Sequence, residues 1–193
     1  MRKTLLLLLI GCMCVALNGE LLSAQVRTIS PVEFEINLGA GIATDKLDYA
    51  WHTMMQAYGV EVRYNFPDAR FDFGGGIRGG AMTRSSEGLF YKTFIPVQFY
   101  GVVDYNYTVS DRLTLFAGLA AGVAYQYVQP SAICDMAWAA NTYNGKKWSP
   151  YISPRAGMEC WDRLRVTMAY HWMDQGSRYT GIHLGYVFGG RKR

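Results

Sequence analysis

The residues of this chain best suited to chemistry are Ser153, His171 and His183. A serine and a histidine within hydrogen-bond reach, with an acid that orients the histidine, form the centre of many nucleophilic hydrolases. Two histidines can hold a metal ion when a third ligand stands at a suitable spacing. No acid completes the first arrangement, and no third ligand completes the second. The sequence therefore predicts no catalytic residue, no metal site and no cofactor.

These residues belong to runs in which apolar and polar residues alternate, the pattern of a strand with two unlike faces. From Val32 to Ile42 the even positions are apolar, whereas Glu33 and Glu35 stand on the other face. The same alternation recurs along the chain as far as Phe188. The predicted strands are 32–43, 58–66, 71–81, 93–107, 113–128, 148–161, 164–172 and 179–188.

Short and long connections alternate between these eight strands. Short turns are predicted at 67–70, 109–112 and 162–163, with longer loops between the other strands. Aromatic residues predicted in the long first and third loops are Trp51, Trp138 and Tyr143, and the first loop also carries His52, Met54 and Met55. Tyrosine and tryptophan collect near the strand ends, as in the interfacial girdles of membrane barrels. The fold predicted is all-β, an eight-stranded antiparallel up-and-down transmembrane β-barrel.

Charged residues and glycine share one face of the predicted strands. Only 18% of the residues are charged, and 21 are glycine. With the charged face outward, the many apolar and aromatic residues would have to fit a narrow lumen, so that face is expected to point inward. The polar network predicted inside comprises Glu33, Glu35, Glu61, Arg63, Asp72, Arg78, Asp104, Arg155, Glu159, Arg165 and His171. Paired charges filling the interior predict a plug and not a pore.

The turn at 162–163 sets the register of one predicted hairpin. With that turn at its centre, Glu159 lies opposite Arg165, and Ser153 lies opposite His171, all facing the lumen. A hydrolase acting on membrane lipid needs its nucleophile at the lipid face, which disfavours catalysis by Ser153 and His171.

The N-terminus reads as a secretory signal peptide at 1–25, which leaves 26–193 as the barrel domain. Arg2 and Lys3 precede an apolar run that is shorter than a typical transmembrane helix. Cleavage is expected after Ala24 or Gln25. A lipobox at 9–12 is the alternative. An exported protein enters an oxidising compartment, where two cysteines could form a disulfide. Because Cys134 and Cys160 are predicted near opposite ends of the barrel, too far apart to be bonded, both are expected to be free thiols.

The whole mature chain resembles the small outer-membrane β-barrels of the OmpA/OmpX type and the related PorT-like barrel domains. The signal, the eight strands and the last strand carry this resemblance. The last strand contains Gly181, Leu184, Tyr186 and Phe188, which resemble the assembly signal read by the barrel-insertion machinery, although five residues follow Phe188. The resemblance implies residence in the outer membrane of a Gram-negative cell, with the lipid bilayer and the insertion machinery as partners.

Function is constrained less tightly than fold, because activities differ widely among such barrels. A non-enzymatic, monomeric barrel with a structural or interaction role through its external loops is the main prediction. The loop aromatics Trp51, Trp138 and Tyr143 are candidate contacts for an unidentified partner, but packing of these loops over the barrel mouth is the favoured interpretation. The alternatives are an outer-membrane lipid-modifying hydrolase and a soluble lipocalin-like ligand carrier. With a net charge of +4 and scattered basic residues, no nucleic-acid partner is expected.

Overall fold

A computed structural model describes the protein over residues 31–44, 54–66, 69–86, 90–110, 112–132, 145–173 and 178–189. Its eight strands form one closed barrel, in which each strand pairs with its neighbours in sequence and the last pairs with the first. Within these residues, no helix is long and apolar enough to cross a membrane. The strands are β1 (Val32–Ala43), β2 (Met54–Asn65), β3 (Phe71–Ser86), β4 (Phe90–Ser110), β5 (Leu113–Ala132), β6 (Gly145–Cys160), β7 (Leu164–His171) and β8 (Tyr179–Gly189).

All neighbouring strands are antiparallel, and the register is staggered around the barrel. A path of paired residues that leaves β2 at Asn65 returns to β2 at Met55, ten residues away. The residues on this path are Asn65, Asp72, Asp104, Gly118, Arg155, Ala169, Gly181, Gly41 and Met55. Such a stagger tilts the strands and brings side chains from distant strands to the same depth in the lumen.

The two ends of the barrel differ. The turns β2–β3, β4–β5 and β6–β7 lie at one end, called the turn end, and the other end is called the loop end. At the β6–β7 turn, the N–H of Arg163 donates to the carbonyl of Cys160 over 3.1 Å, and Trp161 and Asp162 both have φ of 54°. Positive φ at two successive positions matches the right-handed twist of a tight hairpin.

The outward face is apolar on every strand. Leu38, Met168 and Leu184 are 66%, 55% and 57% exposed, whereas the residues on either side of Leu184 in sequence, His183 and Gly185, are buried. The expected division of the faces is therefore confirmed. An exposed apolar surface that surrounds a charged interior is the reverse of a soluble barrel and fits a lipid environment.

Several strands extend further than the sequence predicted. β2 begins at Met54 and not at Tyr58, so that Met54 and Met55 are strand residues and their assignment to the first loop was wrong. Met55 is fully buried in the lumen. β7 ends at His171, and Trp172 is joined to β6 only by an isolated bridge to Ile152. The cause of the first error is that an inward methionine at the loop end carries no charge by which to recognise it.

Candidate functional site

The filled lumen is the candidate site, because it collects the buried charged and titratable residues. All charged residues predicted to face inward do so, and all but Glu159 are at least nine-tenths buried. Their contacts divide them into an ion network at the turn end and a neutral cluster nearer the loop end.

Arg155 is the centre of the ion network. Its guanidinium donates to both carboxylate oxygens of Glu61 over 2.7 and 2.8 Å. Its Nε donates to Asp104 over 2.8 Å, and its Nη2 donates to the second oxygen of the same carboxylate. Since these residues belong to β6, β2 and β4, Arg155 joins three strands that are not neighbours in the sheet. Two bidentate contacts of this kind are the strongest arginine–carboxylate geometry.

Two further arginines extend the network. Arg165 forms ion pairs with Asp104, with Glu159 at 3.1 Å and with Glu35 at 3.7 Å. Its guanidinium carbon also lies 3.5 Å from the centre of the Phe116 ring. The pairing of Glu159 with Arg165 follows the register expected for this hairpin.

Arg63 binds the acids of the first two strands. It lies 3.3 Å from Glu33, 3.1 Å from Glu35 and 3.4 Å from Glu61. Because Glu35 also contacts Arg165, and Glu61 also contacts Arg155, the three arginines form one continuous network. The carboxylates that pair with these three arginines are those of Glu33, Glu35, Glu61, Asp104 and Glu159.

Asp72 stands at the edge of this network. It pairs across the sheet with Asp104, and one of its oxygens accepts a hydrogen bond of 2.8 Å from the amide of Asn106. No arginine lies within ion-pair distance of Asp72 in the part of the chain that the structure describes. Asp72 is thus held by an amide and not by a cation.

The neutral cluster contains the serine and histidines singled out for their chemistry. The Oγ of Ser153 lies 3.3 Å from the Nδ1 of His171, as the register predicts, and the Nε2 atoms of His171 and His183 are 3.0 Å apart. The hydroxyl of Tyr151 is closer to His171 Nδ1, at 2.8 Å. With Tyr151 donating there, His171 carries its proton on Nε2 and donates it to His183.

Within the described residues, this arrangement is not a complete catalytic triad. Ser153 and His171 are 1% and 0% exposed, and no carboxylate among the described residues contacts either histidine. The Tyr151 hydroxyl lies closer than Ser153 to the nitrogen that would take the proton of Ser153. The described residues also contain no group of three or more histidine, cysteine, aspartate or glutamate residues that could hold a metal ion.

Arg78 differs from the other inward arginines. It is 3% exposed, and its guanidinium donates to the hydroxyl of Tyr151 over 3.5 Å. Its guanidinium carbon lies 5.3 Å from the centre of the Tyr100 ring, whose hydroxyl donates to Glu61 over 3.2 Å. No carboxylate of the described residues lies within ion-pair distance of Arg78. The cation is therefore surrounded by aromatic rings and not by acids.

Large uncharged side chains fill the rest of the loop end, and sequence reasoning did not assign them to the lumen. Tyr179 is fully buried and stacks on His171 with ring centres 4.1 Å apart. The sulfur of Met173 accepts a hydrogen bond of 3.5 Å from Gln98. The buried residues of this cluster include Met55, Met82, Phe94, Tyr100, Tyr151, Met173 and Tyr179. Alternation was the signal that could have found them, since Tyr151 stands two residues before inward Ser153.

The other predicted residues lie outside the lumen. Leu184, Tyr186 and Phe188 face outward on β8, while Gly181 faces inward and pairs with Gly41. Cys160 is a free thiol. Trp51, Trp138, Tyr143, His52, Cys134 and the signal segment lie outside the described residues.

Solved structures resemble this barrel, although no protein-family profile and no curated protein sequence matches the chain. Ail, the attachment invasion locus protein of Yersinia pestis, was crystallised with the heparin analogue sucrose octasulfate; its TM-score is 0.51, at 13% identity over 81% of this chain and 97% of Ail. Neisserial surface protein A has a TM-score of 0.56, at 8% identity over 83% of this chain and 98% of its own.

A third similar structure is the outer-membrane enzyme PagL, with a TM-score of 0.48, at 14% identity over 80% of this chain and 98% of PagL. Ail and Neisserial surface protein A are outer-membrane barrels, and at such low identity the similarity to them supports the fold alone. The chain has the fold of the small eight-stranded outer-membrane β-barrels, the OmpA/OmpX-type architecture that its sequence resembles.

Proposed function

We propose that this protein is an integral barrel of the outer membrane of a Gram-negative cell, exported by a signal peptide at 1–25. The observation that carries the proposal is the apolar outward face, because exposed large apolar side chains on every strand need a lipid solvent. The turn end would face the periplasm and the loop end the cell exterior, in keeping with the usual asymmetry of such barrels.

Cell fractionation, followed by gel electrophoresis with and without boiling, tests this location. We expect the protein in the outer-membrane fraction, with a mobility that changes on boiling because the folded barrel resists detergent. A membrane-free periplasmic protein with unchanged mobility would contradict the proposal and favour the soluble carrier.

The lumen is proposed to be a plug. Arg63, Arg155 and Arg165 cross the turn end with their carboxylate partners, and the tyrosine and methionine cluster closes the loop end. Moving ions through this path would require several buried ion pairs to separate, each at a cost of several kcal/mol. Purified protein in planar bilayers is expected to give no steady conductance, and a stable open channel would refute the plug.

The protein is further proposed to act without catalysis, through its external loops. Two observations support this proposal. Ser153 and His171 are buried away from lipid, and the Tyr151 hydroxyl lies at hydrogen-bond distance from Nδ1 of His171. A hydrolase would have to release fatty acid from phospholipid or glycolipid micelles, and that activity would have to disappear in Ser153→Ala. We expect no release by the wild-type protein.

A further inference from the structure

The β6–β7 seam is the most weakly paired seam of the barrel wall. β6 and β7 form a ladder only over Arg155–Cys160 and Leu164–Ala169, beyond which a single bridge joins Ile152 to Trp172. β6 nevertheless continues along β5 as far as Gly145. At the loop end, β6 therefore extends beyond the last paired residue of β7.

Two prolines explain why the ladder stops. The N–H and the carbonyl of Ile152 both bond to Trp172, so residues two apart on β6 direct their backbone polar groups toward the same edge. Pro154 and Pro150 occupy that edge and have no N–H to donate. The next backbone N–H facing it belongs to Trp148.

The edge opens into a pocket of about 390 Å³, open mouth included, between the loop-end segments of β6 and β7. The residues that line it are Lys147, Trp148, Ser149, Pro150, Trp172, Met173 and Arg178. Trp148 is 60% exposed on the outward face, and the Arg178 guanidinium lies 5.4 Å from the Trp172 ring centre. Tryptophan beside lysine and arginine is typical of the headgroup depth of a membrane.

Several polar groups of the pocket can donate hydrogen bonds. Ser149 is 6% exposed, and its hydroxyl has no hydrogen-bond partner among the described residues. The spacing from Ile152 places the Trp148 N–H on the same edge, and no carboxylate belongs to the described lining. Lys147 and Arg178 add positive charge, and both also take part in other contacts. Backbone and hydroxyl donors at membrane depth require acceptors, because lipid tails supply none.

We propose that this seam pocket binds the phosphate headgroup of an outer-leaflet lipid. The phosphate oxygens would accept hydrogen bonds from Ser149 and the Trp148 backbone, Lys147 and Arg178 would add charge, and the acyl chains would pass down the outward face between Trp148 and Trp172. The depth of the site rests on the proposed location and orientation, but binding itself can be measured in detergent. Fractionation therefore tests the location independently of the pocket.

The test uses the purified, folded mature protein in a neutral detergent, with binding followed by native mass spectrometry. Three probes separate the parts of the ligand: dioctanoyl phosphatidic acid, dioctanoylglycerol without the phosphate, and inorganic phosphate without the chains. We expect phosphatidic acid to bind roughly tenfold more tightly than either of the others, because charge-assisted hydrogen bonds and chain contacts act together. Equal binding of dioctanoylglycerol or of inorganic phosphate would overturn the proposal.

Matched variants locate the site. Lys147→Gln and Ser149→Ala are each expected to weaken phosphatidic acid binding by about three- to tenfold. Lys146→Gln removes the same charge one residue away, outside the pocket lining, and should change binding less than twofold. If Lys146→Gln and Lys147→Gln have equal effects, binding is due to general surface charge and the proposal fails. A boiling-dependent gel shift verifies that each variant is folded.

Discussion

The two halves of the lumen are filled by different chemistry. At the turn end, three arginines and five carboxylates form a network in which each arginine contacts at least two acids. At the loop end, Arg78 lies among tyrosine rings without an ion pair in the described chain. The comparison shows two ways to fill a narrow barrel: charges that cross-link distant strands, and neutral side chains that occupy volume.

The largest expected effect comes from removing the centre of the ion network. Arg155→Met removes the bidentate partner of both Glu61 and Asp104. These buried carboxylates then keep only Arg63 and Arg165 as ion-pair partners, and buried charge that is incompletely paired is strongly unfavourable. We expect the free energy of unfolding to fall by about 3–5 kcal/mol. Urea unfolding in lipid vesicles, followed by tryptophan fluorescence, measures this change.

Arg112→Met is the matched control, because Arg112 is exposed at the turn end. Its effect should stay within about 0.5 kcal/mol. A loss below about 1 kcal/mol for Arg155→Met would mean that the carboxylates take up protons or find other partners. It would contradict the interpretation that Arg155 stabilises the barrel by joining distant strands.

A smaller effect is expected from enlarging Gly157, which lies close to the backbone of β7 at the turn end. A Cβ on Gly157 would lie 2.0 Å from the carbonyl oxygen of Val166 and 2.7 Å from the Phe116 ring. Gly157→Ala should therefore lower the free energy of unfolding by about 1–3 kcal/mol, as overpacking does.

The control for this change is Gly101→Ala on the outward face. The nearest atom to a Cβ there is the carbonyl oxygen of Gly74, at 3.7 Å. Gly101→Ala should be neutral or slightly stabilising, because alanine loses less backbone entropy than glycine in a strand. Equal losses from the two substitutions in the same urea titration would show that lumen crowding is not what requires glycine at 157.

The sequence predicted the turn end better than the loop end, for a physical reason. Alternation assigns a residue to a face, and charge then shows which face is the lumen, as it did for Glu61 and Arg155. Which charges meet depends on the ten-residue stagger, and no local pattern encodes it: Arg155 and Glu61 are 94 residues apart in sequence. Met55 and Tyr151 carry no charge, so the same alternation was not enough to identify them as interior.

The smallest effect is expected from Arg78→Met. It makes the same arginine-to-methionine change as Arg155→Met, but at the loop end of the lumen. Arg78→Met removes a cation that donates a 3.5 Å hydrogen bond to Tyr151, and methionine fills a similar volume. The free energy of unfolding should change by less than about 1 kcal/mol, because no buried acid loses its partner. The same urea titration compares it directly with Arg155→Met. A loss as large as that of Arg155→Met would show that Arg78 stabilises the lumen through its charge, by way of Tyr100 and Glu61, and that the two halves form one electrostatic unit.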